Sequence, residues 1–147
     1  MNNQDTVTLL QSCHRGTCTA ISSIEQVMEH VENPELQQRL EATLKRHKDL
    51  GEEIDRRLNA HGEEGARPGP MARRGVWMTT EMRMMMDSAD GRDHQIAKLI
   101  INGCNTGIQG LSEDINHLKD ASGECMDLAT SLVTEEQRLM DDLRLYL

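Results

Sequence analysis

The chain has 147 residues and carries a formal net charge of −9. An acidic surface repels phosphate backbones and anionic lipids, so the composition argues against nucleic acids and membrane surfaces as partners. Aromatic residues are nearly absent, with one Trp, one Tyr and no Phe. A folded core must therefore be built from aliphatic side chains and from the ten methionines.

A chain of this length fits one domain. Apolar residues recur at helical spacing and nowhere alternate with period two, so the sequence predicts an all-α fold without strands. No apolar run approaches the ~20 residues of a membrane span, and the start, MNNQDTVTLL, lacks the basic and apolar regions of a signal peptide. The four cysteines have no CxxC spacing, which predicts reduced thiols and a cytoplasmic location.

The first half of the chain predicts two antiparallel helices, over about 5–32 and about 34–61. The apolar stripe of the first helix consists of Val7, Leu10, His14, Thr17, Ile21, Ile24, Met28 and Val31. Asn33 is a typical helix cap and Pro34 suits the first helical position, so the connection is short and the helices are neighbours. The stripe of the second helix consists of Leu36, Leu40, Thr43 with Leu44, His47, Leu50, Ile54, Leu58 and His61.

The middle of the chain contains a break followed by a methionine-rich stretch. Three glycines and a proline in HGEEGARPG, residues 61–69, end the second helix. Residues 71–87 then predict a crossover helix with apolar residues on more than one side. Because such a helix must be covered, we expect a homodimer or a higher homo-oligomer through this segment. The sequence leaves open whether 71–118 is one kinked helix or two.

The second half predicts two more helices, over about 92–119 and about 122–146. The stripe of the first consists of His94, Ala97, Ile101, Cys104, Ile108, Leu111, Ile115 and Leu118. Glycines at 103, 107 and 110 lie beside that stripe, and each weakens a helix by roughly 0.8–1 kcal/mol relative to alanine. We therefore expect another backbone to pack closely against the glycines. The stripe of the last helix consists of Cys125, Leu128, Leu132, Glu135, Leu139, Leu143 and Tyr146.

Three stretches carry a family resemblance: NPEL at 33–36, HGEEGARPGPMA at 61–72 leading into a helix with Trp77 and Met82, and IAKLIINGCNTGI at 96–108. Together they resemble a bacterial family of small ferritin-like four-helix proteins without an established activity. The resemblance implies that residues 1–147 form a single ferritin-like bundle domain, in which two antiparallel hairpins are joined by a long crossover. It implies no particular reaction.

Ferritin-like di-iron proteins take a Glu from each of two helices and a Glu-x-x-His pair from each of the other two. This chain contains no Glu-x-x-His, and its nearest match, Asp114 with His117, flanks the stripe instead of joining it. The related sequences tend to carry an acidic residue near position 98, where this chain has Lys98. The sequence therefore predicts that the usual di-iron centre is missing and that no cofactor is bound.

Several positions on the apolar stripes are nevertheless occupied by a polar residue or a cysteine. His14, His47, Glu135 and Cys104 are the candidate metal ligands, and His94 is a further one. Counted from the turns, His47, Glu135 and Cys104 fall near mid-height of the bundle. One interpretation is a buried His47–Glu135 hydrogen bond that fixes the register of the helices. The other is a mononuclear site for a transition metal such as Fe, Mn or Zn.

Two function classes follow from these patterns. The sequence favours a non-enzymatic bundle that acts through oligomerisation or partner binding. The lack of a recognisable Ser-His-Asp order also argues against catalysis, without deciding the question. The alternative is a metal-binding or redox ferritin-like protein with a non-standard His/Glu/Cys site inside the bundle. Among the cysteines, Cys18 lies on a partly polar face and is expected at the surface, whereas Cys104 and Cys125 are expected to be buried and inert.

Overall fold

A computed structural model describes residues 3–63 and 91–147, which are helical and contain no strand. The helices are α1 (Asn3–Met28), α2 (Pro34–Ala60), α3 (Arg92–His117) and α4 (Gly123–Leu143), followed by a 3-10 turn at Arg144–Tyr146. None of these helices has the length and apolarity that a membrane crossing requires. The predicted helix at 71–87 and the question of a kink before α3 lie outside the described residues.

The turn between α1 and α2 has the chemistry that the sequence predicts. Asn33 Oδ1 accepts hydrogen bonds from the backbone N–H groups of Glu35 (2.8 Å) and Leu36 (3.3 Å), and Pro34 takes the first helical position. A cap of this kind satisfies donors that have no partner within the helix. α1 itself ends at Met28, a few residues before its predicted end at 32.

At one end of the bundle, the start of α3 lies against the α1–α2 turn. The Asp93 carboxylate accepts hydrogen bonds from the backbone N–H groups of Glu32 and Asn33, both at 2.9 Å. The start of α3 is therefore next to the end of α1, so these two helices are antiparallel.

At the opposite end, the α3–α4 turn lies against the start of α1. Asp5 accepts a hydrogen bond from the Asp120 N–H at 3.1 Å, and Thr6 Oγ1 accepts one from the Ser122 N–H at 2.9 Å. The directions of α2 and α3 are consequently the same, and residues 63 and 91 lie at opposite ends of the bundle. Each hairpin thus supplies side chains that bind the turn of the other hairpin.

The buried interior consists of two apolar clusters with a polar layer between them. The cluster near the α1–α2 turn contains Ile24, Val27, Leu36, Leu40, Ile96, Ala97, Leu99, Ile100, Cys104, Leu139 and Leu143. The cluster at the other end contains Leu9, Leu10, Cys13, Ile54, Leu58, Leu111, Cys125, Ala129 and Leu132. Both clusters draw on all four helices. The polar layer contains Thr17, Thr43, His47, Glu135 and Glu136, all of them buried.

The predicted faces agree with the structure to different degrees. Every buried residue of α2 was predicted to lie on its stripe, although His61 is exposed. The buried face of α1 is displaced by about one residue from the prediction. Its buried side chains are Thr6, Leu9, Leu10, Cys13, Thr17, Ile24 and Val27, whereas Val7, His14, Ile21 and Met28 are only half-buried. The displacement moves His14 from the core to the edge of the bundle.

The sequence predicts a backbone packed against the glycines of α3, and residues 3–63 and 91–147 do not supply one. A Cβ built on Gly103 or Gly110 would meet nothing within 4 Å among residues 3–63 and 91–147, and one on Gly107 would meet only Glu136 Oε2, at 4.0 Å. The close approach occurs instead between α1 and α2. There a Cβ on Gly51 would lie only 3.2 Å from Thr17 Cγ2, so the missing side chain brings α1 and α2 together at this level.

Candidate functional site: a buried polar layer

His47 is the centre of the polar layer, and its side chain is fully buried. Its Nδ1 lies 2.8 Å from the Thr43 carbonyl oxygen, and its Nε2 lies 2.8 Å from Glu136 Oε1. A carbonyl oxygen can only accept, so Nδ1 carries a hydrogen. The contact between Nε2 and Oε1 contains one further hydrogen. When this hydrogen is on Nε2, both ring nitrogens are protonated, so His47 is a positively charged imidazolium and Glu136 is a carboxylate.

The surroundings of His47 act on its pKa in opposite directions. Burial lowers the pKa, because it disfavours the charged ring. The hydrogen bond and charge of Glu136, the Thr43 carbonyl and the charge of Glu135 raise it, and together they lift the pKa of His47 above its usual value. The layer therefore favours an imidazolium–carboxylate pair between α2 and α4.

Glu135 is the second carboxylate of the layer and faces the bundle surface. Its Oε1 accepts hydrogen bonds from Thr43 Oγ1 at 3.0 Å and from Arg46 Nε at 2.5 Å, while its Oε2 lies 3.5 Å from Arg138 Nη1. The Thr43 hydroxyl also lies 3.3 Å from His47 Nδ1 and so links the two acidic positions. The direct partner of His47 is thus Glu136, and the predicted pairing with Glu135 is replaced by an indirect connection through Thr43.

Cys104 joins the layer from α3. Its thiol is buried and hydrogen-bonds Glu136, which therefore lies between Cys104 and His47. Burial, the charge of Glu136 and this hydrogen bond raise the pKa of the Cys104 thiol far above its usual range. Cys104 is accordingly a neutral hydrogen-bond donor here, and its burial agrees with the sequence prediction.

His14 lies outside this layer. Its Nδ1 is 3.0 Å from Asp55 Oδ1 on α2, and its Nε2 is 3.6 Å from Cys18 Sγ, one turn further along α1. His94 lies at the end of the bundle, where its Nδ1 is 3.3 Å from the Tyr146 carbonyl oxygen. The structure therefore brings together His47, Glu135 and Cys104 and separates His14 and His94 from them.

No group of three or more His, Cys, Asp or Glu side chains has an arrangement suited to a metal ion within the ranges 3–63 and 91–147. Each ring nitrogen of His47 already has a partner in the protein, and so has each oxygen of Glu135. The layer as it stands can store a proton between His47 and Glu136 and can fix the positions of three helices.

One residue of the layer, Glu136, was missed by sequence reasoning. Glu136 lies on a second regular series on α4, made of Cys125, Ala129, Leu132, Glu136, Leu139 and Leu143, all buried. That series has steps of three and four as regular as those of the predicted stripe. The small side chain of Ala129 on this face was the available signal that it packs against a neighbouring helix.

A shallow groove of about 400 Å³ opens beside Glu135, between α2 and α4. Its lining consists of Arg46, Asp49, Leu50, Thr130, Ser131, Thr134, Glu135 and Arg138. Solvent thus reaches the guanidinium groups that pair with Glu135. The His47–Glu136 contact does not line this groove.

Comparison with known proteins gives one informative result for the fold. No protein-family model matches the chain, and no curated protein matches it in sequence. The solved structure of a conserved hypothetical protein, rv2844, from Mycobacterium tuberculosis has a TM-score of 0.72 at 15% sequence identity, with 100% of both chains covered. At this identity the likeness concerns the fold alone: the described helices have an architecture similar to that of the bacterial protein.

Proposed function

We propose that this protein is a non-catalytic, ferritin-like four-helix bundle that acts through self-association. The observation that carries the non-catalytic part is the internal pairing of the polar layer. His47 is held by Thr43 and Glu136, and Glu135 is held by Thr43 and two arginines. A catalytic centre keeps a position open for substrate or water, whereas these groups bind one another.

The ferritin-like assignment is supported by the helix directions. Two antiparallel hairpins have parallel second and third helices, so the connection between the hairpins must join opposite ends of the bundle. This is the topology of bundles with one long crossover. The likeness in fold to the mycobacterial protein extends over the full chain and is compatible with the same topology.

Self-association is supported by the sequence of 71–87, which contains Trp77 and six methionines. At helical spacing these residues occupy more than one side, while the two apolar clusters of the bundle already draw on α1 to α4. An apolar surface left over on such a segment favours contact with a second copy, and methionine adapts readily to such interfaces. A homodimer or higher homo-oligomer through 71–87 is the expected assembly.

Sedimentation velocity at micromolar concentration tests this proposal. We expect a dimer or larger species for the wild type and a monomer for a Met82→Glu/Met85→Glu variant, because a charge in an apolar contact is costly to bury. Thr79→Glu/Thr80→Glu, at polar positions of the same segment, is the matched control and should keep the assembly. A wild-type chain that sediments as a monomer would rule the proposal out.

The second candidate is a metal-binding or redox protein that uses His47, Glu135 and Cys104, the predicted ligands that the structure brings together. The observation that favours it is that the Glu136 carboxylate contacts both the His47 imidazole and the Cys104 thiol. Elemental analysis of protein purified without chelator, followed by titration with Zn²⁺, Mn²⁺ or Fe²⁺, tests it directly. Stoichiometric metal that is lost in His47→Ala but kept in the exposed control His117→Ala would support this candidate, and substoichiometric metal throughout would remove it.

A further inference from the structure

Three side chains between α1 and α2 form a chain of contacts that is independent of the polar layer. Cys18 Sγ lies 3.6 Å from His14 Nε2, and His14 Nδ1 lies 3.0 Å from Asp55 Oδ1. A sulfur nucleophile, an imidazole and a carboxylate follow one another in that order. This is the arrangement in which a base accepts a proton from a nucleophile and is itself oriented by an acid.

The contacts also define the tautomer of His14. An ionised Asp55 carboxylate only accepts, so the hydrogen of a neutral ring lies on Nδ1. The lone pair of Nε2 then points to Cys18, and the thiol hydrogen is directed to it. His14 is therefore prepared to take the proton of Cys18 without any rearrangement.

The close packing of α1 on α2 makes this geometry possible. Thr17 lies between His14 and Cys18 on α1, and its Cγ2 would be only 3.2 Å from a Cβ on Gly51. Asp55 is one helical turn beyond Gly51, so the same close approach brings its carboxylate within reach of His14.

Cys18 is also the most accessible thiol among the four. Cys13, Cys104 and Cys125 have exposures of 0%, 3% and 1%, whereas Cys18 is half-buried. Burial and the charges of Cys125 and Asp114 raise the pKa of Cys13 to about 12. The pKa of Cys18 is also raised, by burial and then by the charge of Asp55, so its resting form is the thiol and its reaction requires a base.

We propose that Cys18 is the reactive thiol of this protein and that it forms a mixed disulfide with low-molecular-weight disulfides, with His14 as the general base. The Cys18 Sγ–H proton passes to His14 Nε2 while Sγ attacks one sulfur of the disulfide. A new Sγ–S bond forms as the original S–S bond breaks, and the leaving thiolate takes the proton from the imidazolium. The protein thiol is oxidised and the small disulfide is reduced, so no further reactant is needed.

The surroundings favour sulfur exchange over acyl transfer. Acyl transfer develops charge on an oxygen, which must be stabilised by free N–H donors. Cys18 and His14 lie in the middle of α1, where the backbone N–H groups bond to carbonyl groups within the helix. Disulfide exchange places negative charge only on sulfur, and the protonated imidazole can neutralise it.

The test uses the full-length protein and follows its reaction with oxidised glutathione by intact mass and peptide mapping. We expect one thiol to react at least about tenfold faster than the rest, and Cys18→Ser to abolish this fast phase. His14→Gln should slow the Cys18 reaction by about tenfold or more, as expected for loss of a general base. Asp55→Asn should slow it several-fold, because the ring loses its orientation.

Asp49→Asn is the matched control, since Asp49 is an exposed aspartate of the same helix that pairs with Lys45 and should leave the rate unchanged. Glutathione release should be measured alongside the mass shift, because the mechanism requires one equivalent of reduced glutathione for each mixed disulfide that forms on Cys18. Both Asp55→Asn and Asp49→Asn change exposed side chains, so they test the geometry even where His14→Gln disturbs folding. The proposal is overturned if Cys18 reacts no faster than the buried cysteines, or if Asp55→Asn behaves as Asp49→Asn does.

Discussion

Residues 3–63 and 91–147 contain two histidine–carboxylate pairs across neighbouring helices, in very different environments. The His47–Glu136 pair has side-chain exposures of 0% and 8%, whereas the His14–Asp55 pair has 15% and 55%. The hydrogen-bond lengths are nearly equal, at 2.8 and 3.0 Å. The two contacts are therefore similar in length, and the pairs differ chiefly in their access to water.

Burial changes what such a pair can do. Around His47 every polar atom has a protein partner, and removal of one partner leaves a charge without solvation, so the pair acts on stability. Around His14 solvent compensates for a lost partner, so the pair contributes little to stability. The same exposure leaves Cys18 accessible to small molecules, which makes the outer pair the better candidate for chemistry.

Removal of Glu136 is expected to have the largest effect on stability, and it tests whether the buried pair stabilises the bundle. We expect Glu136→Ala to lower the free energy of unfolding by about 3–5 kcal/mol, because His47 and Cys104 lose their common buried partner. Urea denaturation monitored by circular dichroism measures this. Gln137→Ala, at the exposed neighbouring position, should change the free energy by no more than about 0.5 kcal/mol. A loss no larger than that of the control would mean that the pair does not stabilise the bundle.

A second test follows from the raised pKa of His47. The folded state binds this proton more tightly than the unfolded chain, so the stabilisation is full below the unfolded pKa of about 6.5 and is lost as pH rises through the folded pKa. Urea unfolding between about pH 6 and about pH 9 should show this decline. In Glu136→Gln the decline should flatten, because the main cause of the raised pKa is removed. An equal slope in both proteins would contradict the assignment.

The smallest effect on stability is expected at the more exposed pair, His14 and Asp55. Asp55→Asn should lower the free energy of unfolding by only about 0.2–1 kcal/mol, since the carboxylate is largely exposed. The matched variant Asp49→Asn should behave similarly in the same denaturation experiment. A loss for Asp55→Asn as large as that for Glu136→Ala would show that exposure does not distinguish the two pairs.

The sequence predicts α2 better than the other helices, for a physical reason. Its apolar residues form a single stripe with charged residues on the opposite side, and Asn33 and Pro34 mark its start. On α1, apolar residues occupy two adjacent columns, so periodicity alone does not choose between Cys13 and His14 as the inward residue. Packing of α1 against the other three helices decides this, and such long-range contacts are not visible in a periodic pattern.

The position of the polar layer along the bundle was predictable from the sequence, but the hydrogen-bond partner of His47 was not. His47 lies on an unambiguous stripe, and counting from the turns put it at mid-height with Glu135. The choice between Glu135 and Glu136 depends on a rotation of α4 by one residue, which the sequence pattern allows in either direction. The structure buries both carboxylates, so a buried face wider than one stripe explains why the direct partner was missed.

The reciprocal binding of the two hairpin turns has a consequence for folding. Asp93 binds the first turn from about sixty residues away along the chain, and Asp5 binds the second from 115 residues away. Neither turn is complete until both hairpins have docked, so the free energy of each contact is gained only at the end of a long loop closure. We therefore expect the protein to fold slowly for an all-helical chain and to unfold in one cooperative step, with the two hairpins melting together.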